Sequence, residues 1–203
     1  MTERTYHHGN LRAALLERAW DAVDAEGADA LSLRQLARDV GVSHGASARH
    51  FRDKQALLDA LAVEGFARLN AALGAAVSGD APFADRFHAA GDAYVSFAVR
   101  HPAILRTMYT AKHHEAASAE LIEVSHVAMP ALVALITAAQ EAGELPPGAA
   151  EEAAVVAFAA VHGVATLATD DLLDGFPWQD ATAATITAVW RGLVSAGSST
   201  RTA

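Results

Sequence analysis

The stretch from Leu33 to Phe51, LRQLARDVGVSHGASARHF, limits the fold of this chain more tightly than any other. Leu33, Leu36, Ala37 and Val40 recur at helical spacing and give one apolar face. Ser32, with Gln35 three residues on, has the pattern of a capping box. Gly41 follows the last apolar position, where a helix closes through a left-handed residue. Ser43 then reads as the cap of a second helix, about two turns long, which ends near Phe51 because Asp53 reads as the next N-cap. Two short helices joined by a glycine turn make a helix-turn-helix, whose second helix can enter a DNA major groove. An ordinary αα-corner inside a helical bundle would use the same pattern. Ser47 and Phe51 share one face of the second helix, so if Phe51 packs inward, His44, Gly45, Ala48 and Arg49 face out.

The rest of the chain reads as helices. Residues 1–9 form an arm whose Arg4, Tyr6, His7 and His8 either touch DNA or are a disordered tail. Asn10 caps a first helix to Glu26, with Leu11, Leu15, Ala19, Trp20 and Val23 on one face and Gly27 at its end. Asp53-Lys54 opens a long helix to about Val77, striped by Leu57, Leu58, Leu61, Phe66, Leu69 and Leu73. Lys54 in a first turn opposes the helix dipole, a conflict that an external phosphate would resolve; a solvated surface lysine is the plain alternative. Further helices are expected over Phe83–Arg100, from Pro102 to Thr110, over Glu115–Ala142 with a kink at Pro130, over Ala149–Leu173, and over Gln179–Ala196. The expectation is an all-α protein of about nine helices. A boundary is expected near residue 54, between the helix-turn-helix part over residues 1–54 and a longer helical part over residues 55–203.

Charge is divided between the two parts. The net charge is −9, yet residues 1–54 balance eight basic against eight acidic side chains, so all the excess acid lies beyond them. A specific DNA reader need not be basic overall if it gathers cations on one face, and Arg34, Arg49, Arg52 and Lys54 are the candidates. Zero cysteines exclude disulfide and thiolate chemistry. No apolar run reaches about 18 residues without a charge, and the start lacks a signal-peptide core, so a cytoplasmic protein is expected.

No nucleophile elbow, phosphate loop, dinucleotide fingerprint or zinc-protease motif is present, so no catalytic residue and no cofactor is expected. His113-His114 with Glu115 lacks metal-ligand spacing, and no metal is expected. His162, in a run of small apolar residues, is either a hydrogen-bonded core residue or a donor to a ligand. Phe87, Tyr94, Phe97, Tyr109 and Phe158 fill a core unless a cavity lies among their helices, in which case they line it.

From Tyr6 to Leu69 the chain resembles the TetR family of transcriptional regulators. The runs YHHGNLRAALLERAWDAVDAEG and LSLRQLARDVGVSHGASARHFRDKQALLDAL carry the likeness. A weaker likeness, through YVSFAVRHPAILRTMY and Ala160-Val161-His162-Gly163, points to a subgroup with a Trp-His-Gly motif, here with Val161 in place of Trp. The resemblance implies a homodimer joined by its last two long helices. It also implies a double-stranded operator as partner and a small-molecule effector bound between the middle helices. By position, Arg34, Ser43, His44, Gly45, Ala46, Arg49, His50 and Lys54 would meet DNA. Phe87, Tyr94, Phe97, Met108, Tyr109, Phe158 and His162 are the pocket candidates. Ala48 and Ser47 depart from the family pattern, which favours an aromatic at the first position and Leu or Pro at the second. The competing reading is a helical ligand-binding or catalytic protein with a vestigial head.

Overall fold

The computed structural model describes residues 11–195. The arm residues Arg4, Tyr6, His7 and His8, the Asn10 cap and the C-terminal tail lie outside the described residues. Within them there is no strand, and ten helical segments follow one another. These are α1 (Leu11–Glu26), α2 (Leu33–Val40), α3 (His44–Ala48), α4 (Lys54–Val77), α5 (Phe83–Arg100), α6 (Pro102–Lys112), α7 (Ala119–Ser125), α8 (Ala128–Glu141), α9 (Ala150–Thr169) and α10 (Trp178–Ser195). A single 3-10 turn, Ala28–Ala30, lies between α1 and α2.

α7 and α8 are one expected helix, interrupted at His126-Val127. The break stands four residues before Pro130, whose ring cannot donate to the His126 carbonyl and crowds it. α7 begins at Ala119 rather than Glu115 because Ser118 caps it, accepting from the Leu121 N–H at 3.1 Å. α9 stops at Thr169, short of Leu173. Asp171 takes a left-handed φ of 57° and the Leu172 N–H bonds back to the Leu167 carbonyl at 2.8 Å, a Schellman closure without glycine.

The chain gathers into two compact units. Among the described residues, one holds the chain up to Ala67 together with His101–Ser125; the other holds Arg68–Arg100 and the residues after Ser125. α4 contributes to both. In the first unit, Leu11, Leu15, Ala19, Trp20 and Val23 are buried, the face expected for α1. Gly65 of α4 lets Met108 of α6 lie where a Cβ would stand, 2.6 Å from its sulfur, and Phe66 meets Tyr109 edge-on at 5.7 Å. Trp20 of α1 meets His101 edge-on, and His101 Nδ1 lies 2.8 Å from an Asp24 carboxylate oxygen.

The second unit is a bundle of α5, α8, α9 and α10. Its core joins Phe83, Phe87, Ile136, Ala139, Leu145, Ala150, Ala154, Ala157 and Ile186, with Trp190 packed against the two phenylalanines. The alanines on α9 let its neighbours approach closely. Glu144 accepts from the Phe83 N–H at 2.7 Å and so caps α5 from the far side of the sequence.

α4, the run Ala119–Glu141 and α9 are each long and apolar enough to cross a membrane by length and composition alone. Charge-free length was too strict a measure at the sequence level, because a helix with one or two charges can still reach that hydropathy.

The close packing of α5 sets a test. A Cβ on Gly91 would stand 2.4 Å from Ile186 Cδ1, and Ile186 is fully buried. Gly74 on α4 meets nothing within 4 Å. Gly74→Ala should stabilise by about 0.8–1.0 kcal/mol through helix propensity. Gly91→Ala gains the same amount but costs about 1–3 kcal/mol in overpacking, so it should be net destabilising. Urea denaturation of the two variants checks the opposite signs.

Candidate nucleic-acid interface and effector site

The turn between α2 and α3 forms as its residues dictate. Gly41 has φ 77°, and the Gly41 and Val42 N–H groups close α2 onto the Arg38 and Ala37 carbonyls. Ser43 caps α3, accepting from the Ala46 N–H at 3.2 Å. The expected capping box on α2 does not form. Ser32 makes no side-chain cap bond, and Gln35 instead donates to Asp39 and accepts from Arg38 along the helix surface. The i+4 partner wins because Asp39 offers Gln35 a charged acceptor on the same face.

α3 is one and a half turns at most, five residues, and its rotation is set by two inward groups. Ser47 is completely buried, and its hydroxyl donates to the His44 carbonyl at 2.9 Å. Phe51 is 2% exposed and donates its N–H to the Ser47 carbonyl. His44, Gly45, Ala48, Arg49 and His50 are therefore exposed, while Ala46 is half-buried. Ser47, where the family pattern has Leu or Pro, is turned into the head and its hydroxyl is satisfied by the His44 carbonyl.

Arg34 is exposed at the start of α2. Arg18 of α1 bridges to Asp39 of α2 at 2.9 Å and fastens the two helices. Asp53 caps α4 through the Ala56 N–H at 2.7 Å and pairs with Arg52. Lys54 is half-buried, and its ammonium donates to the Asp29 carbonyl at 3.0 Å. The conflict between Lys54 and the helix dipole is thus relieved inside the protein, by a carbonyl of the 3-10 turn.

The pocket candidates divide. Tyr94 of α5 and His162 of α9 meet, hydroxyl to Nδ1, at 2.7 Å. Phe158 stacks on His162 at 5.4 Å and meets Tyr94 edge-on at 5.8 Å. Phe97, one turn along from Tyr94, is buried on the same helix. Phe87 belongs to the bundle core with Phe83 and Trp190. Met108 and Tyr109 pack against α4 in the other compact unit. Sequence spacing could not make this division, because it depends on which helices meet. Among the described residues no group of histidines and carboxylates could hold a metal ion.

Burial pushes the His162 imidazole below its ordinary value of 6.5 by penalising the charged form. The neutral ring satisfies Tyr94 in either tautomer, accepting at Nδ1 or donating from it.

Two family models match. Residues 15–61 match the bacterial regulatory proteins of the tetR family, and residues 87–196 match the tetracyclin repressor-like C-terminal domain. A solved structure of a protein of unknown function from Rhodococcus sp. RHA1 is 49% identical, with 95% of this chain and 100% of that chain aligned at a TM-score of 0.87. A tetR-family regulatory protein from Rhodococcus RHA1 is 22% identical, over 90% of this chain and 96% of that one, at 0.71. A TetR-family regulator from Thermus thermophilus is 19% identical, over 88% and 98%, at 0.69. No curated protein matches. The C-terminal model alone spans more than half of the chain, and the chain belongs to the TetR family. It is a DNA-binding transcriptional regulator with a helix-turn-helix head.

The half-buried histidine predicts a pH dependence. The unfolded chain protonates His162 below about pH 6.5, while the folded chain resists. Its contribution to stability is complete above pH 6.5 and lost as pH falls through the lower folded value. That loss is at most about 1.4 kcal/mol per pH unit for one proton. Thermal melts from pH 7.5 to 5.5 should show a steeper fall for the wild type than for His162→Phe; parallel curves would remove the effect.

Proposed function

We propose that this regulator is a homodimeric repressor, released from a palindromic operator by a small, largely apolar effector. The observation that carries the DNA half is the exposed stripe His44, Gly45, Ala48 and Arg49 on a capped helix whose rotation Phe51 and Ser47 fix. On this reading residues 1–54 are the head and residues 55–203 the regulatory part. Arg49 reads base edges, Ser43, His44, Gly45 and Ala46 border the groove, and Arg34 and His50 meet phosphates. Lys54 joins them by releasing the Asp29 carbonyl. Such a protein works in the cytoplasm, where the DNA is.

Dimerisation through α9 and α10 is supported by apolar side chains left in solvent there. Val155 and Val156 are each 57% exposed, and Leu167 and Val194 exceed 40%. A two-fold pair would present two recognition helices to successive major grooves, about 34–36 Å apart. The Tyr94–Phe158–His162 cluster supports an effector site of mixed character, aromatic with two polar atoms. His162-Gly163 on α9 also supports membership of the Trp-His-Gly-like subgroup. Ala48 favours the second reading, a ligand-binding protein with a vestigial head, since it offers no aromatic contact to the backbone.

Binding-site selection separates these readings. The repressor reading expects a two-fold symmetric sequence. Arg49→Ala should relax one position of it by about 1–3 kcal/mol, the worth of a bidentate arginine–guanine pair. Failure to enrich any sequence favours the vestigial head.

Induction adds a reciprocal expectation. An effector that prefers one tilt of α4 changes the spacing of the two heads, by no more free energy than its preference between tilts. Coupling of about 1–3 kcal/mol is typical, and linkage requires operator DNA to weaken effector binding by the same factor. A ligand found by thermal shift should bind about 5–150-fold more weakly to the operator complex. Equal affinities would end the induction mechanism.

A further inference from the structure

We propose that Arg12, in the first turn of α1, is a DNA-phosphate contact held ready by Phe51; the proposal rests on the operator-binding reading above. Among the described residues, four of the seven Lys and Arg side chains of the head are already engaged. Arg18 bridges to Asp39, Arg52 to Asp53, Arg38 donates to Gln35, and Lys54 donates to the Asp29 carbonyl. Among the described residues, Arg12, Arg34 and Arg49 enter no ion pair, and all three are exposed. Arg34 opens α2 and Arg49 closes α3, so both belong to the helix-turn-helix itself. Arg12 belongs to the helix packed behind it, and its spacing in the sequence gives no sign of a DNA role.

Phe51 is what brings Arg12 forward. The Arg12 guanidinium carbon lies 5.5 Å from the centroid of the Phe51 ring. Phe51 directly follows the turn that ends α3, and its N–H is bonded to the Ser47 carbonyl. A third unpaired guanidinium therefore stands beside the end of the recognition helix. Attraction to a ring face holds a cation without spending any of its N–H donors on an acceptor. The donors remain for a phosphate, which a guanidinium meets with two parallel bonds. The ring also restricts a side chain that would otherwise lose much rotamer freedom on binding. Arg12 lies off the exposed stripe of α3, so it positions the head on the DNA backbone and reads no base.

The test compares wild type, Arg12→Gln and Arg12→Lys on the selected operator and on a shuffled duplex, from 50 to 200 mM salt. Arg12→Gln should weaken both duplexes by the same factor and leave the selected sequence unchanged. Its slope of log K against log salt should be shallower by about 0.9 per bound head. Over that fourfold rise in salt the wild type then loses about 3.5-fold more affinity per head than the variant. Arg12→Lys keeps the charge and should restore the slope, which separates a phosphate contact from a fold defect. An unchanged slope in Arg12→Gln, or an altered selected sequence, overturns the proposal while leaving the operator reading intact. A wild type that binds neither duplex overturns the operator reading itself, and the proposal with it.

Discussion

The burial of Phe51 is the contact on which the DNA-binding head depends. α3 is five residues long, far below the length at which a helix holds itself together in water. Its conformation comes from its two ends: the Ser43 cap at the start and Phe51 anchored in the core after the finish. Those two fixtures leave one rotation about the helix axis. With Ser47 turned in beside Phe51, the outward stripe must be His44, Gly45, Ala48 and Arg49. Gly41 sets the angle at which α2 delivers the chain to this arrangement, and the Arg18–Asp39 bridge ties α2 to α1 behind it.

In the bundle the corresponding constraint is polar. A tyrosine hydroxyl and a histidine withdrawn from water each carry a desolvation cost that only a partner offsets. Tyr94 and His162 offset one another at 2.7 Å, across two helices 68 residues apart in sequence. An apolar pair at these positions would pack as well and carry no such risk. On the proposed effector reading, the satisfied polar pair flanked by Phe158 is the point at which an entering ligand is oriented. This is why the effector reading centres on these three residues and leaves Phe87 to the core.

How much of this was legible in the sequence depended on whether the deciding partner was local. Gly27, Gly41, Ser43 and Asp53 punctuate the head through neighbours within a few residues, and each does in the structure what its position implied. The buried face of α1 followed from periodicity alone. Ser32 and Gln35 misled because Asp39 competed for Gln35. The early end of α9 was hidden because an aspartate, Asp171, took the left-handed position normally signalled by glycine. Ser118 was a readable cap that the apolar pattern from Glu115 concealed. The division of the pocket candidates was not legible at all. Met108 fills the notch at Gly65, and that fit between α4 and α6 leaves no trace in local spacing.

Charge closes the account of the head. Non-specific attraction to DNA grows with the number of phosphates a protein neutralises, and a genome offers a vast excess of non-specific sites. A chain at −9 with a neutral first quarter keeps that background attraction low. Within the head, Asp39 and Asp53 each engage an arginine, so further cations are withdrawn from general use. On the proposed reading, affinity for an operator comes from a few guanidiniums held around α3. A head built this way gains less from any one duplex than a basic one would, and it loses proportionately more when the geometry of the site is wrong. Discrimination therefore rests on holding α3 still, which returns the burden to Phe51.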